Sequence, residues 1–409
     1  MTETVEVYLW PDKPVGKLWF NSRNNRESSS FQYNPDWLDS PENFALEPAL
    51  KLATGVMHTR NMPLFGAIGD SAPDRWGRVL MRRREERYAK STGKTPRKLT
   101  ELDFLLGIND EARQGALRFK TNKDSFYLAP QEKNAIPPLI ALPKLLSASE
   151  RFLELKESDE DLQLLLAPGS SLGGARPKAS VYDSKDLSIA KFPHKDDEFQ
   201  TVLWEALALT LAKKAGIQVP VWHLEQVLNK PVLILKRFDR SGTKRIPYLS
   251  AMSMLTASDN EQHSYLEIAY ALIQYGAEPL KDLEELWRRM VFNICISNTD
   301  DHLRNHGFLL NNPADKNPCK GWRLSPAYDL NPVPNNARPP FLSLAINEVS
   351  NEASLDTAMS VIGEFKLKKE KAVDILDYVQ QAVSGWQNTA RSLGINRNEI
   401  DRMESAFVR

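Results

Sequence analysis

The sequence predicts an α+β protein in which strands and helices mix over roughly the first 240 residues and helices dominate thereafter. Three observations predict it. Short strand-like runs open the chain: Val5-Glu6-Val7-Tyr8-Leu9-Trp10 alternates, and Val15 to Phe20 follows a proline-containing break. Three further strand-like pieces, 178–183, 187–192 and 231–236, surround a helix at about 198–215. Beyond about residue 245 the pattern turns helical, near 262–275, 279–297, 365–382 and 397–407, with one non-helical island at 300–346.

Taken in order, residues 1–128 form a first part. A helix over 73–90 has Pro73 near its start and Trp76, Val79 and Leu80 at helical spacing, and Gly115 to Phe119 reads as a strand. Residues 129–143 contain Pro130, Pro137, Pro138 and Pro143 and read as a linker. A second part, 144–240, opens with an amphipathic helix over 144–166. It continues through the glycine- and serine-rich stretch Pro168 to Lys178 into the three strand-like pieces. Its helix at 198–215 carries Leu203, Leu207, Leu211 and Ala212 on one face and stops at Gly216. The remainder, 241–409, is the helical part. No internal repeat or low-complexity tract interrupts this order.

Bulk properties narrow the function classes. A chain of 409 residues suggests two or three domains at ~100–200 residues each, long enough for a sizeable core. Hydrophobic residues at 42% and charged residues at 26% are ordinary for a soluble globular protein. Lys plus Arg and Asp plus Glu both number 53, so the net charge is zero. That balance argues against broad adhesion to nucleic acid or anionic membrane but permits a local basic patch. The run Arg82-Arg83-Arg84 reads first as a solvated helix face, with a nucleic-acid or partner contact as the alternative. Two cysteines, Cys295 and Cys319, make no disulfide framework and lack metal-ligand spacing. Cys295, in the apolar stretch Val291 to Ile296, reads as a buried free thiol. The start Met-Thr-Glu-Thr lacks a leader's basic and apolar regions, and no run reaches the ~18–20 apolar residues of a membrane helix. The expectation is a cytoplasmic chain with no membrane partner.

The chemistry-bearing residues fall in the order that phosphoryl transfer needs: a phosphate cover, a cation, metal-binding carboxylate or amide oxygens, and a base for the acceptor hydroxyl. Gly169 to Gly174 is a tight turn whose backbone N–H groups can approach phosphate oxygens, although an ordinary loop is the plain reading of that feature alone. Lys191 ends the apolar strand Leu187 to Phe192, and Glu205 follows fourteen positions later in the next helix. This is the arrangement of a kinase strand lysine and its helix glutamate, against the plain reading of an edge lysine reaching water. Asn298-Thr299-Asp300-Asp301-His302-Leu303-Arg304-Asn305 is the strongest local signal. Asp300 and Asn305 stand five apart, the separation between base and metal-binding Asn in a kinase catalytic loop. Asp301 and His302 remain alternatives for the base, and a zinc site is disfavoured by the lack of further Cys or His nearby. Asp329, in Ser325-Pro326-Ala327-Tyr328-Asp329-Leu330, follows a hairpin expected at 307–311 and 321–325. It occupies the place of the second metal-binding residue, although a lone Asp before a Pro-rich loop is commonly a turn residue.

These motifs, with Pro73-Asp74-Arg75-Trp76-Gly77-Arg78, Gly115-Ala116-Leu117-Arg118-Phe119, Ser171 to Lys178 and Lys236-Arg237-Phe238-Asp239-Arg240, resemble those of the HipA family, the kinase half of a bacterial toxin–antitoxin pair. The resemblance spans nearly the whole chain. It implies a small α/β N-terminal domain before a two-lobed protein-kinase-like core with a mixed N-lobe and an all-helical C-lobe. It implies a serine/threonine protein kinase using ATP and Mg²⁺, with Asp300 as base and Asn305 and Asp329 on the metal. Ser171, Leu172, Gly173, Gly174, Lys191 and His302 would line the ATP, and the backbone of Lys236, Arg237 and Phe238 would read adenine. Ser171, with Ser170 as its competitor, falls where such kinases phosphorylate themselves. The implied partners are a HipB-like helix-turn-helix antitoxin dimer, operator DNA mainly through that antitoxin, and a protein substrate of the aminoacyl-tRNA synthetase class. Two rivals are a small-molecule phosphotransferase, which would share Asp, Asn and later Asp, and an ATP-gated corepressor module with weak catalysis. The intact catalytic set disfavours the corepressor.

Overall fold

Alternation in the first runs has the expected consequence. The computed structural model describes residues 2–24, 26–121, 127, 136–166, 174–259, 261–311, 321–334 and 341–407, and in it β1 (Thr2–Leu9) pairs antiparallel with β2 (Lys13–Arg23). Val5 and Val7 of β1 and Val15, Leu18 and Phe20 of β2 are buried. A third strand, β3 (Arg26–Tyr33), extends the sheet to β4 (Met57–His58), and β5 (Leu117–Thr121) closes the other edge, giving the order β4-β3-β2-β1-β5. Gly16 is required by this packing: a Cβ there would lie 2.5 Å from the Phe31 ring.

The helix Arg75–Ser91 begins at Asp74, whose Oδ1 accepts the Gly77 N–H at 2.9 Å. Its Trp76 and Leu80 join a buried cluster with Leu145, Leu146, Val181, Ala190, Val232 and Ile234. The run Arg82 to Arg84 is mostly a solvated helix face, as expected: Arg82 and Arg84 are exposed and Arg83 is half-buried. Arg82 stacks on Phe104, and Arg83 lies over Phe152 and pairs with Glu157. The single helix expected over 144–166 is two, Leu142–Leu153 and Asp159–Leu166. Leu155 turns left-handed at φ +60, and Ser158 and Asp161 then cap each other reciprocally and start the second helix.

The expected strand pieces are β6 (Lys178–Asp183), β7 (Asp186–Lys191) and β9 (Lys230–Lys236), with β8 (Trp222–Val227) outermost in the order β6-β7-β9-β8. Register places Lys178 opposite Lys191 and Ser188 opposite Lys236.

The chain folds as two compact units. One comprises Met1–Lys195 with Glu225–Leu249, the other Asp196–Leu224 with Ser250–Arg409. The second unit holds the helices Thr201–Lys214, Tyr265–Tyr275, Pro279–Cys295, Lys369–Ser384 and Arg397–Met403. Gly216, at φ +78, follows the first of these. Trp204 on that helix donates from Nε1 to Glu399 Oε2 at 3.0 Å and packs on Trp386. The unit also carries the expected antiparallel hairpin, Gly307–Asn311 with Gly321–Leu324. Among the described residues no helix is long and apolar enough to cross a membrane.

Candidate active site

The helix Pro279–Cys295 delivers the chain to the candidate loop. Its inner face, including Leu286, Trp287, Met290 and Phe292, is fully buried, so its end is fixed. Ser297 then turns at φ +49, and the Asn298 N–H bonds to Asn293 O at 2.9 Å. A short 3₁₀ turn, Leu303–Asn305, closes the loop, with the Asn305 N–H donating to His302 O at 2.8 Å.

The adjacent aspartates are placed oppositely. Asp300 is exposed, and its carboxylate has no partner among the described residues. Asp301 is 2% exposed, and its Oδ2 takes three contacts. Tyr265 Oη donates to it at 2.5 Å, Asn293 Nδ2 at 2.9 Å, and His306 Nε2 lies at 2.9 Å. Burial works against the Asp301 charge, but His306 beside it and the Tyr265 hydroxyl hold the carboxyl below its usual range. Burial, reinforced by Asp301, pushes the Tyr265 phenol well above its usual value. A carboxylate enclosed this way cannot reach a substrate proton, whereas Asp300 can. His302 is half-buried, and its Nδ1 has no partner among the described residues.

Asn305 realises the spacing of five. Its Nδ2 donates back to Asp300 O at 3.1 Å, which leaves Oδ1 as a buried acceptor with no partner among the described residues. An orphaned buried acceptor is costly unless something binds it, and a hard cation is such a ligand. Asp329 reaches the same neighbourhood because its flanks are tied to the loop. Tyr328 Oη donates to Arg304 O at 2.7 Å, and the Asn331 N–H reaches Asn298 Oδ1 at 3.3 Å. Asp329 itself sits at φ +59, a left-handed conformation that Asp tolerates better than most residues and that is concentrated at functional sites.

The remaining expected residues lie apart from this loop in the chain. Ser170, Ser171, Leu172 and Gly173 lie outside the described residues. Gly174 adopts φ +88 and its carbonyl accepts from Lys178 Nζ at 3.2 Å. Lys191 is the last residue of β7 and half-buried; Glu205 is 5% exposed on its helix in the second unit. Lys236 ends β9 and pairs with Asp186 at 2.6 Å on the surface. The Arg237 side chain is enclosed, and its backbone N–H donates to Leu187 O. Phe238 packs at a tilt on Tyr248. Sequence reasoning missed Tyr265, Asn293, Asn298 and His306, which build the loop's buried support. Asn298 opens the motif and His306 follows its Asn305, but nothing in spacing pairs Tyr265 with Asp301 thirty-six residues on.

Two family descriptions match the chain: the HipA N-terminal domain over residues 5–120 and the HipA-like C-terminal domain over residues 170–386. A Haemophilus influenzae protein provisionally named a kinase is 28% identical over 231 residues, 50% of this chain and 63% of that protein's length. A similarly named Sinorhizobium fredii protein is 23% identical over 355 residues, covering 81% of this chain and 77% of that one. A solved chain from the Shewanella oneidensis complex of HipA, HipB and operator DNA superposes with a TM-score of 0.69 at 17% identity, covering 98% of this chain and 94% of that one. At that identity the likeness is one of fold.

Proposed function

Because the chain belongs to the HipA family, we propose that it is a protein kinase that transfers the γ-phosphoryl group of ATP to a serine or threonine hydroxyl, with Asp300 as general base. The observation that carries this reading is the loop itself: an exposed Asp300 and a buried Asn305 Oδ1, neither with a side-chain partner among the described residues, and an Asp329 tied to the same loop at both flanks. Asn305 Oδ1 and the Asp329 carboxylate are hard oxygen donors suited to Mg²⁺ held together with phosphates. The ion's contribution when bound is to offset negative charge on the phosphates.

In this mechanism the Asp300 carboxylate accepts the acceptor hydroxyl's proton as the hydroxyl oxygen bonds to phosphorus and the bond to the ADP leaving oxygen breaks. Lys191 holds the α- and β-phosphates, Glu205 is the helix glutamate of the kinase pattern, His302 and Gly174 line the nucleotide, and the backbone of Lys236, Arg237 and Phe238 reads adenine. The loop's buried support keeps Asp300 in place without touching substrate.

The biological reading follows the family. The kinase acts in the cytoplasm as a toxin on a component of translation, of the aminoacyl-tRNA synthetase class. A HipB-like helix-turn-helix dimer restrains it and carries it to operator DNA, and Ser171 is its self-phosphorylation site. The solved relative assembled with HipB and operator DNA supports the partner assignment. Incubation with γ-labelled ATP and a bacterial extract tests the activity. Label on a protein band supports the reading. Label only on small molecules transfers the chain to the small-molecule phosphotransferases, and no label at all favours the ATP-gated corepressor.

A further inference from the structure

We infer that the amino-terminal region is a working part of the nucleotide site, with Asp74 as a positioning residue for the chain that leaves the glycine-rich segment. The inference rests on the phosphoryl-transfer reading above and assigns a task to two motifs, Pro73 to Arg78 and Gly115 to Phe119, that the reaction leaves unused.

The two oxygens of Asp74 hold different things. Oδ1 caps the helix Arg75–Ser91 through the Gly77 N–H at 2.9 Å, and Oδ2 accepts from Lys178 Nζ at 2.7 Å. Both side chains are nearly inaccessible, at 4% for Asp74 and 2% for Lys178. Lys178 also donates to Gly174 O at 3.2 Å, and it begins β6 directly opposite Lys191. One ammonium therefore ties a helix start to Gly174, from the residue that stands opposite Lys191 in the sheet. Buried lysines are rare, and a buried ion pair is seldom more stabilising than apolar side chains of similar volume. Fixing geometry is what the pair does that an apolar pair could not.

A second tie holds the other chain segment assigned to the nucleotide. Asp239 is fully buried and accepts the Gly115 N–H at 2.7 Å and Arg237 Nε at 2.8 Å. Arg237 in turn donates to Ala112 O at 2.6 Å and Arg113 O at 3.1 Å. Gly115 sits at φ +72, where a Cβ would come within 3.2 Å of Tyr248 N. Residues 174–178 and 236–239 are thus each bound to a motif of the amino-terminal region, within one compact unit.

The full-length protein carrying Asp74→Asn with Lys178→Met tests this. Asn keeps a capping oxygen, and Met keeps the lysine's bulk, so melting temperature should stay near wild type. Binding of Mg·ATP, followed by calorimetry, should weaken about tenfold, the order seen when a supporting partner of a binding group is removed. KM for ATP should rise while kcat stays near wild type. Lys178→Arg, which keeps the charge, should recover much of the affinity. Unchanged ATP affinity in the double variant while wild type binds ATP overturns this inference alone, and absence of ATP binding by wild type overturns the kinase reading beneath it. A loss of affinity that only tracks a loss of folded protein also overturns it. Should the double variant fail to fold, Asp74→Glu, which keeps a carboxylate for Lys178 but moves it by one methylene, carries the same comparison.

Discussion

Substituting the two neighbouring aspartates should separate chemistry from folding. Asp301 Oδ2 carries three contacts from buried groups. A hydrogen bond to a charged group is worth ~1.5–3 kcal/mol and a neutral one ~0.5–1.5 kcal/mol. Asp301→Asn can keep its carbonyl oxygen at the Oδ2 position, so it forfeits about 1 kcal/mol per contact and roughly 3 kcal/mol in all. Asp301→Ala strands Tyr265, Asn293 and His306 without an acceptor, at ~1–3 kcal/mol each, which approaches the ~5–15 kcal/mol that holds a typical domain folded. The sign of the pH dependence follows. The folded Asp301 carboxyl lies below its ordinary value, so its stabilisation is present above the unfolded pKa and is lost as pH falls through the folded value. The stabilities of wild type and Asp301→Asn should therefore converge in acid. Asp300→Asn, at an exposed position, should change stability by no more than about 0.5 kcal/mol. Urea unfolding followed by far-UV circular dichroism gives the stabilities, alongside γ-labelled ATP turnover. An Asp301→Asn protein as stable as wild type but unable to transfer phosphate would refute the assignment and make Asp301 the base.

Three further outcomes are expected. Asp329→Ala should abolish transfer and weaken Mg·ATP binding more than metal-free ATP binding; calorimetry showing equal weakening would make Asp329 a turn residue. Burial raises Glu47 to about 8, so this acid's contribution is fully present below its unfolded value of 4.5 and is lost as pH rises through about 8. Glu47→Gln should accordingly flatten the decline of melting temperature with rising pH, and an unchanged pH profile would contradict this. Cys295 is fully buried and its thiol is pushed up to about 12, so alkylation read by peptide mass spectrometry should spare it in the native protein and modify it after unfolding.

Elements defined by local pattern were legible. The Pro279–Cys295 helix, the hairpin after the loop, and β6, β7 and β9 fall close to their expected positions because apolar periodicity and turn residues are local properties. The break at Leu155 was not, because a reciprocal cap at Ser158 and Asp161 overrode a continuous helical pattern. The loop's key residues stood out because their spacing is short. Their support did not, since Tyr265 reaches Asp301 across thirty-six positions and Asp74 reaches Lys178 across 104. The tie from Gly115 to Asp239, 124 residues apart, is hidden from local pattern for the same reason.

The central claim is that Asp300 is the base of a phosphoryl-transfer site, and one comparison tests it most directly. Wild type and Asp300→Asn are each assayed for ATP affinity by calorimetry and for label transfer from γ-labelled ATP to protein. The account predicts equal ATP affinity and a rate at least ~10²–10⁴-fold lower in the variant, the range for loss of a general base. Transfer at the wild-type rate by Asp300→Asn would contradict it.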